Sequence, residues 1–321
     1  MPSQTLNEIL NGLNEQQKNA AQTIEGPVQV IAGPGTGKTQ ILASRIANIL
    51  ATTDTDPWNI LCLTFTDAGV IAMRDRLLKF IGPTAHQVQI HTFHSLCNQI
   101  IQDNQAFFGT NSLSPIDDIE SEQLIRTICE MIKPEAALYN PYDAYSFKYA
   151  LKAAFGTFKK ENLSSNQLIE KCDALIKDLE NDENMRYKRT VKGKWEKGDL
   201  KVNDYNKAKK KLEKIKESAL LFSAYTQKMQ EMHRYDFDDM ILWVLEAFDK
   251  HPDLLLDYQE QFQYMLTDEF QDTNGAQFKL IELLMNHWDS PNIFSVGDDD
   301  QSIYAFQGAN VANMLKFGKS F

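Results

Sequence analysis

Residues 28–39 read Val28-Gln29-Val30-Ile31-Ala32-Gly33-Pro34-Gly35-Thr36-Gly37-Lys38-Thr39. The first four residues form a strand, the small residues from Ala32 to Gly37 a loop, and Lys38-Thr39 opens a helix. Glycines in such a loop let backbone N–H groups turn inward and cradle phosphate oxygens. The start of the following helix adds its positive dipole end. Lys38 is placed to neutralise the β- and γ-phosphates of a nucleoside triphosphate, and the Thr39 hydroxyl to ligate Mg²⁺. Ala32 stands where the strict phosphate-loop pattern has glycine. A glycine turn ahead of Lys-Thr can be purely structural, but the strand before it and the helix after it favour phosphate binding.

Outward from this loop, four further apolar runs read as buried strands: Ile60–Phe65, Val88–Phe93, Tyr264–Thr267 and Ile293–Val296, with Val28–Ala32 making the fifth. Helical patterns at Lys38–Leu50, Ala68–Ile81 and Ala276–Trp288 alternate with them. Such alternation predicts an α/β fold with a parallel sheet covered on both faces. Residues 107–228 differ. They hold helical segments at Glu120–Ile132, Ser164–Leu179 and Asp204–Met232 and no convincing strand, which predicts an all-helical domain inserted into an α/β domain made of residues 1–106 and 229–321.

The strand Tyr264–Thr267 runs into Asp268-Glu269-Phe270-Gln271-Asp272. A carboxylate at the end of a buried strand can hold Mg²⁺ beside bound phosphates. A second one can orient and deprotonate water for attack on the γ-phosphate. An isolated Asp-Glu pair is usually a surface feature; in a chain with a phosphate loop the pair reads as Asp268 on the metal and Glu269 as general base.

The 321 residues suggest two domains. Cys62, Cys97, Cys129 and Cys172 are dispersed, which fits core thiols in a reducing cytosol and suggests neither a disulfide framework nor a zinc ribbon. No apolar run is long enough to span a bilayer and no signal peptide is evident, so a cytoplasmic protein without a membrane partner is expected. The net charge of −11 argues against nucleic acid until its distribution is considered: residues 186–216 carry 13 cations and four carboxylates, a local +9. Within it, Lys209, Lys210 and Lys211 are candidate phosphate-backbone contacts, against the alternative of a solvated helix face.

At this point the motifs resemble a known family, the N-terminal half of UvrD/PcrA/Rep-like superfamily 1A DNA helicases. Leu13-Asn14-Glu15-Gln16-Gln17 looks like the Q motif, Leu63-Thr64-Phe65-Thr66 like motif Ia, and His91-Thr92-Phe93-His94-Ser95-Leu96-Cys97 like motif Ib. Tyr235–Met240 resembles the segment returning from the inserted domain, Asp268–Asn274 is similar to motif II, and Val296–Tyr304 looks like motif III. The resemblance implies a RecA-like domain 1A, an inserted domain 1B, ATP and Mg²⁺ as cofactors, and 3′→5′ movement on single-stranded DNA and at single-strand/duplex junctions. By the same resemblance, Gln17 would contact adenine alongside Gln40, and Gln301 would sense the γ-phosphate. Phe65, Tyr304 and Phe306 would stack on bases, while Thr64, Thr66, Thr92 and His94 would lie along the strand. Base–aromatic stacking tolerates any sequence, as a motor on arbitrary DNA requires. Phe65 and Phe306 could otherwise be core aromatics. His91 and His94 lack a third metal ligand, and Asp298-Asp299-Asp300 reads as a solvated turn.

The chain departs from the family pattern at Gln40, where an Arg is usual, at Asp67-Ala68-Gly69-Val70 in place of Asn-Lys-Ala-Ala, and at Gln307 in place of Arg. It stops at Phe321, before the second RecA-like domain and its arginine fingers, which in phosphoryl-transfer systems are worth about 10³–10⁵ in rate. A fragment that binds Mg-ATP modestly and hydrolyses it slowly is therefore expected, with that missing domain as its partner. A helicase–nuclease subunit of the AddA/RecB type shares these motifs, and a non-motor nucleotide- or DNA-binding module is the alternative from another class.

Overall fold

The computed structural model describes residues 5–109, 113–192, 194–298 and 311–321. In chain order, α1 (Leu6–Asn11) and α2 (Glu15–Gln22) lead into β1 (Val28–Ile31), α3 (Lys38–Thr52), β2 (Ile60–Thr64), α4 (Asp67–Ile81), β3 (Gln89–Thr92), α5 (Phe93–Asp103) and α6 (Gln105–Phe108). Next come β4 (Ser114–Pro115), α7 (Asp118–Glu130), α8 (Lys148–Lys160), α9 (Ser165–Asn181), α10 (Val202–Glu231) and β5 (Arg234–Tyr235). Then follow α11 (Phe237–Lys250), α12 (Pro252–Gln261), β6 (Tyr264–Thr267), α13 (Gly275–Met285), β7 (Ile293–Gly297) and α14 (Val311–Ser320).

The fold is α/β and RecA-like. The five strands read from the sequence all form, and they pair in parallel in the order β1-β7-β6-β2-β3. Parallel strands with both faces covered read as continuous apolar runs, and β2, β6 and β7 are buried along their whole length. On one face Ile41, Leu42 and Ile46 of α3 pack with Met73 and Leu77 of α4 against Cys62, Leu266 and Phe294. Each large apolar side chain buried this way contributes about 1.5–3 kcal/mol. All four cysteines are free and buried, and burial pushes the Cys62 and Cys97 thiols far above their usual range, which marks them as core thiols of low reactivity.

One charged residue belongs to this core. Arg45 of α3 is 1% exposed. Its guanidinium donates to the carbonyls of Ala20, Thr23 and Ile24, around the end of α2, and lies 4.4 Å from the centre of the Phe294 ring. Burial lowers its pKa to about 10. Arg45 thus satisfies the orphan carbonyls that end α2 and fixes that helix to the one that follows the phosphate loop.

The chain divides into two compact units, Met1–Asn111 with Phe237–Phe321, and Ser112–Asp236. The second has its own core of Leu124, Ile128, Phe155, Phe158, Phe222 and Tyr225. The limits expected at 107 and 228 fall inside the continuous helices α6 and α10. This unit is also not purely helical: β4 and β5 pair in parallel, and isolated bridges join Arg186 to Leu200 and Val191 to Trp195. Two-residue strands carry no period to read. Among the described residues no helix is long and apolar enough to cross a membrane.

Candidate active site

In a parallel sheet the C-terminal strand ends are where ligands bind, and the sheet order sorts the singled-out residues along that edge. Lys38, Thr39, Asp268 and Glu269, assigned to nucleotide, follow β1 and β6, while Thr64, Phe65, Thr66, Thr92 and His94, assigned to DNA, end or follow β2 and β3. β6 and β2 are neighbours, stitched at the edge by the Asp268 N–H donating to the Leu63 carbonyl at 2.9 Å.

The loop after β1 is held at three points. The Ala32 N–H donates to the Gly297 carbonyl at 2.9 Å. The Thr36 hydroxyl donates to the Gly33 carbonyl at 2.7 Å, and the Gln17 amide donates to the Thr36 carbonyl at 2.8 Å. Gln17 in turn accepts from the Asn14 N–H in a capping box that starts α2. Gly35 and Gly37 have φ of +72° and +83°, which only glycine adopts without cost. Gly37 offers no side-chain cap to α3, so the first N–H groups of that helix are left for an anion. A cleft of about 410 Å³ beside the loop is lined by Asn14, Gln17, Val30, Ile31, Gly33 and Thr36.

Lys38, 9% exposed, forms an ion pair with Glu269 at 2.8 Å. Glu269 reaches it from a left-handed backbone, φ +49°, which costs a residue bearing a Cβ roughly 1–2 kcal/mol. The same carboxylate oxygen accepts from the Gln271 amide at 2.8 Å. Gln271 is buried, and its carbonyl oxygen accepts from the Asp298 N–H at 2.9 Å. One side-chain amide therefore joins the expected base to the end of β7. The sequence gives no sign of this role for Gln271, because Asp298, the partner that completes the link, follows a different strand. Asp298 is 2% exposed, so its place is a buried strand end rather than a solvated turn. Gly297 makes room for this link, since a Cβ there would meet the Gln271 Oε1 at 2.9 Å. Gly297→Ala is expected to destabilise the fold by about 1–3 kcal/mol, read as a lowered melting temperature; an unchanged melt would show that Gln271 can shift freely.

Asp268 accepts from the Glu269 N–H at 3.0 Å. Burial, and secondarily the Glu269 charge, push its pKa up to about 6. The same two causes raise Asp272. Asp268 is thus a half-buried carboxylate on which desolvation and the Glu269 charge outweigh the Glu269 N–H and Lys38. The Thr39 hydroxyl and the Asp268 carboxylate are both oxygen donors, the ligand type that suits a hard divalent cation.

Gln40 accepts from the Arg76 guanidinium of α4 at 3.2 Å. A cation absent from position 40 thus stands next to it, supplied from 36 residues further along the chain.

At the other end of the edge, Phe65 is 37% exposed, and the Thr66 hydroxyl caps α4 by accepting from the Gly69 N–H. His94 is 3.9 Å from Asp238. Thr64 and Thr92 are only 1% and 8% exposed. The Thr64 hydroxyl donates to the Thr66 carbonyl, and that of Thr92 caps α5. Their side chains shape the strand ends; Phe65 and Thr66 are exposed, and His94 is half-buried with its Nε2 turned inward. Gln301, Tyr304 and Phe306 lie outside the described residues. Lys209, Lys210 and Lys211 sit on α10 in the second unit, with Lys210 and Lys211 exposed.

The family model described as UvrD/REP helicase N-terminal domain matches residues 13–321. Proteins named ATP-dependent DNA helicase PcrA from Bacillus subtilis (strain 168) and Leuconostoc citreum are each 31% identical over 316 residues, covering 98% of this chain and 36% of theirs. The PcrA of Staphylococcus aureus (strain Mu50 / ATCC 700699) is 31% identical over 317 residues, 98% of this chain and 37% of its own. The chain therefore spans little more than a third of the length of these relatives. With a phosphate loop, a strand-end acidic pair and a parallel sheet joining them, the chain belongs to the UvrD/REP helicase N-terminal domain family.

Proposed function

We propose that this chain is the nucleotide- and single-strand-binding part of an ATP-dependent 3′→5′ DNA helicase or translocase, working at single-strand/duplex junctions in the cytoplasm with a second RecA-like domain as its partner. The polarity and the partner rest on the family resemblance alone. The observation that carries the nucleotide reading is the Lys38–Glu269 pair at 2.8 Å, which brings the expected phosphate-binding cation and the expected base together at the loop.

In this reading the N–H groups at the start of α3 receive the phosphates, and Lys38 exchanges Glu269 for a γ-phosphate oxygen. Glu269, held by Gln271, is then free to accept a proton from the water that attacks the γ-phosphorus as the bond to ADP breaks. Asp268 and Thr39 are the residues that would hold Mg²⁺, which when bound supplies positive charge to the phosphate oxygens. Residues 112–236 correspond to domain 1B in this reading, and Phe65 would stack on a base of the strand.

Asp268→Asn tests the metal assignment. A folded-state pKa raised from 3.8 to about 6 means that this group contributes stability below pH 3.8 that is lost as the pH rises through about 6. Above that pH the amide is expected to melt a few degrees higher than wild type in the absence of nucleotide. It is also expected to lose the Mg²⁺-dependence of binding to a fluorescent ATP analogue. Binding with undiminished Mg²⁺-dependence would remove Asp268 from the metal site.

A further inference from the structure

The strained backbone of Glu269, φ +49°, persists only where its surroundings hold it. The short 3₁₀ turn Phe270–Asp272 follows it, and the Asp272 N–H donates to the Glu269 carbonyl at 2.9 Å. Phe270 is fully buried, its ring edge-on to Phe278 of α13 and Phe317 of α14, with centres 6.0 and 5.6 Å away. Thr273 closes the turn, its hydroxyl donating to the Phe270 carbonyl at 2.7 Å. The Thr273 carbonyl is itself held: it accepts from the side-chain amide of Asn313, on α14, at 2.9 Å.

α14 is anchored elsewhere too. The Gln29 amide of β1 donates to the Met314 carbonyl at 3.2 Å. Met314 also packs against Gly297 at the end of β7, where a Cβ would meet its Cε at 3.3 Å. The Ser320 hydroxyl donates to the Glu282 carboxylate of α13 at 2.8 Å. One helix thus reaches the strand that enters the phosphate loop, the strand end beside Asp298 and the turn behind the expected base. Within it, Asn313 is not the residue that packing alone would select. It is 0% exposed, and its Oδ1 has no hydrogen-bond partner among the described residues. A buried acceptor left unpaired is destabilising, and a leucine would fill a similar volume without one. What the amide supplies instead is a directed bond to Thr273.

We infer that Asn313 is a positioning residue for Glu269. By tying the Thr273 carbonyl to α14, it fixes the turn that aims the Glu269 carboxylate at the attacking water. Gln271 holds the carboxylate itself; Asn313 holds the backbone that carries it. The inference rests on the reading of Glu269 as general base, and adds to it a residue that follows β7 in the chain, well outside the acidic pair.

The test replaces Asn313 by Leu in the 321-residue chain and follows a single turnover of radiolabelled ATP with protein in excess. Displacing a catalytic group by ~1 Å can cost about 10²-fold, so hydrolysis is expected to slow by roughly 10–10²-fold. Mg-ATP affinity, read by calorimetry, is expected to stay within about two-fold, since a contact felt only in the transition state leaves binding alone. The decisive readout is the double variant. With Glu269→Gln already in place there is no base to aim, so adding Asn313→Leu should slow hydrolysis by less than about two-fold more. A residue that merely supports the fold would add its full factor in that background. Asn313→Ala, which deletes the amide and adds nothing, is expected to behave alike and answers the question if the leucine variant does not fold. Hydrolysis within about two-fold of wild type overturns the inference. So does a full multiplicative loss in the double variant, or a fall in affinity that matches the fall in rate. If Glu269→Gln alone leaves hydrolysis intact, the base reading fails first and the inference falls with it. A loss in Glu269→Gln with none in Asn313→Leu removes the inference only.

Discussion

Glu269→Gln is expected to slow single-turnover ATP hydrolysis by about 10²–10⁴-fold, the usual worth of a positioned general base, without weakening nucleotide binding. The amide keeps the shape of the carboxylate and can still accept from Lys38, but it cannot take a proton from water. The 2.8 Å pair adds a second expectation. The Glu269 carboxylate competes with phosphate for the Lys38 charge, so removing its charge should tighten Mg-ATP binding several-fold. Excess protein and long sampling times allow even a slow chain to report. Retained hydrolysis would take the base role away from Glu269; weaker binding would mean that Glu269 does not compete for Lys38.

Lys38→Met should do the reverse. A charge-assisted hydrogen bond is worth about 1.5–3 kcal/mol, so the affinity for Mg-ATP is expected to fall by about 10–10²-fold. The fold should survive, because Met fills a similar volume at this 9%-exposed position. Glu269, 37% exposed, can turn to solvent when its partner is gone. Calorimetric titration reads the affinity and a thermal melt checks the fold. Undiminished binding would place the phosphates away from the loop.

The two sets of residues that make the site were legible to different degrees for a physical reason. The phosphate loop and the strand-end acidic pair are local patterns, with glycines at fixed offsets and carboxylates after an apolar run, and these can be read one segment at a time. So can the five strands, because a sheet buried on both faces writes continuous apolar runs into the chain. The Lys38–Glu269–Gln271–Asp298 chain of contacts cannot be read that way, since it joins three strand ends that the topology alone brings together. For the same reason Arg45 gave no sign that it would be buried under α2, and Arg76 none that it would reach Gln40. Thr64 and Thr92 fell within motif-like segments, yet their hydroxyls are spent on a turn and a helix cap. The basic stretch from Arg186 was visible only as charge; the Tyr187–Trp195 stack is a contact between residues eight apart with no apolar period to announce it.

Nucleotide and Glu269 are expected to exchange places on Lys38. A structure of the chain with Mg²⁺ and a non-hydrolysable ATP analogue would show it: the Lys38 Nζ should lie within hydrogen-bond distance of a γ-phosphate oxygen, with Glu269 released toward the space where water would attack. A Lys38–Glu269 pair still closed at 2.8 Å with the analogue bound would contradict it.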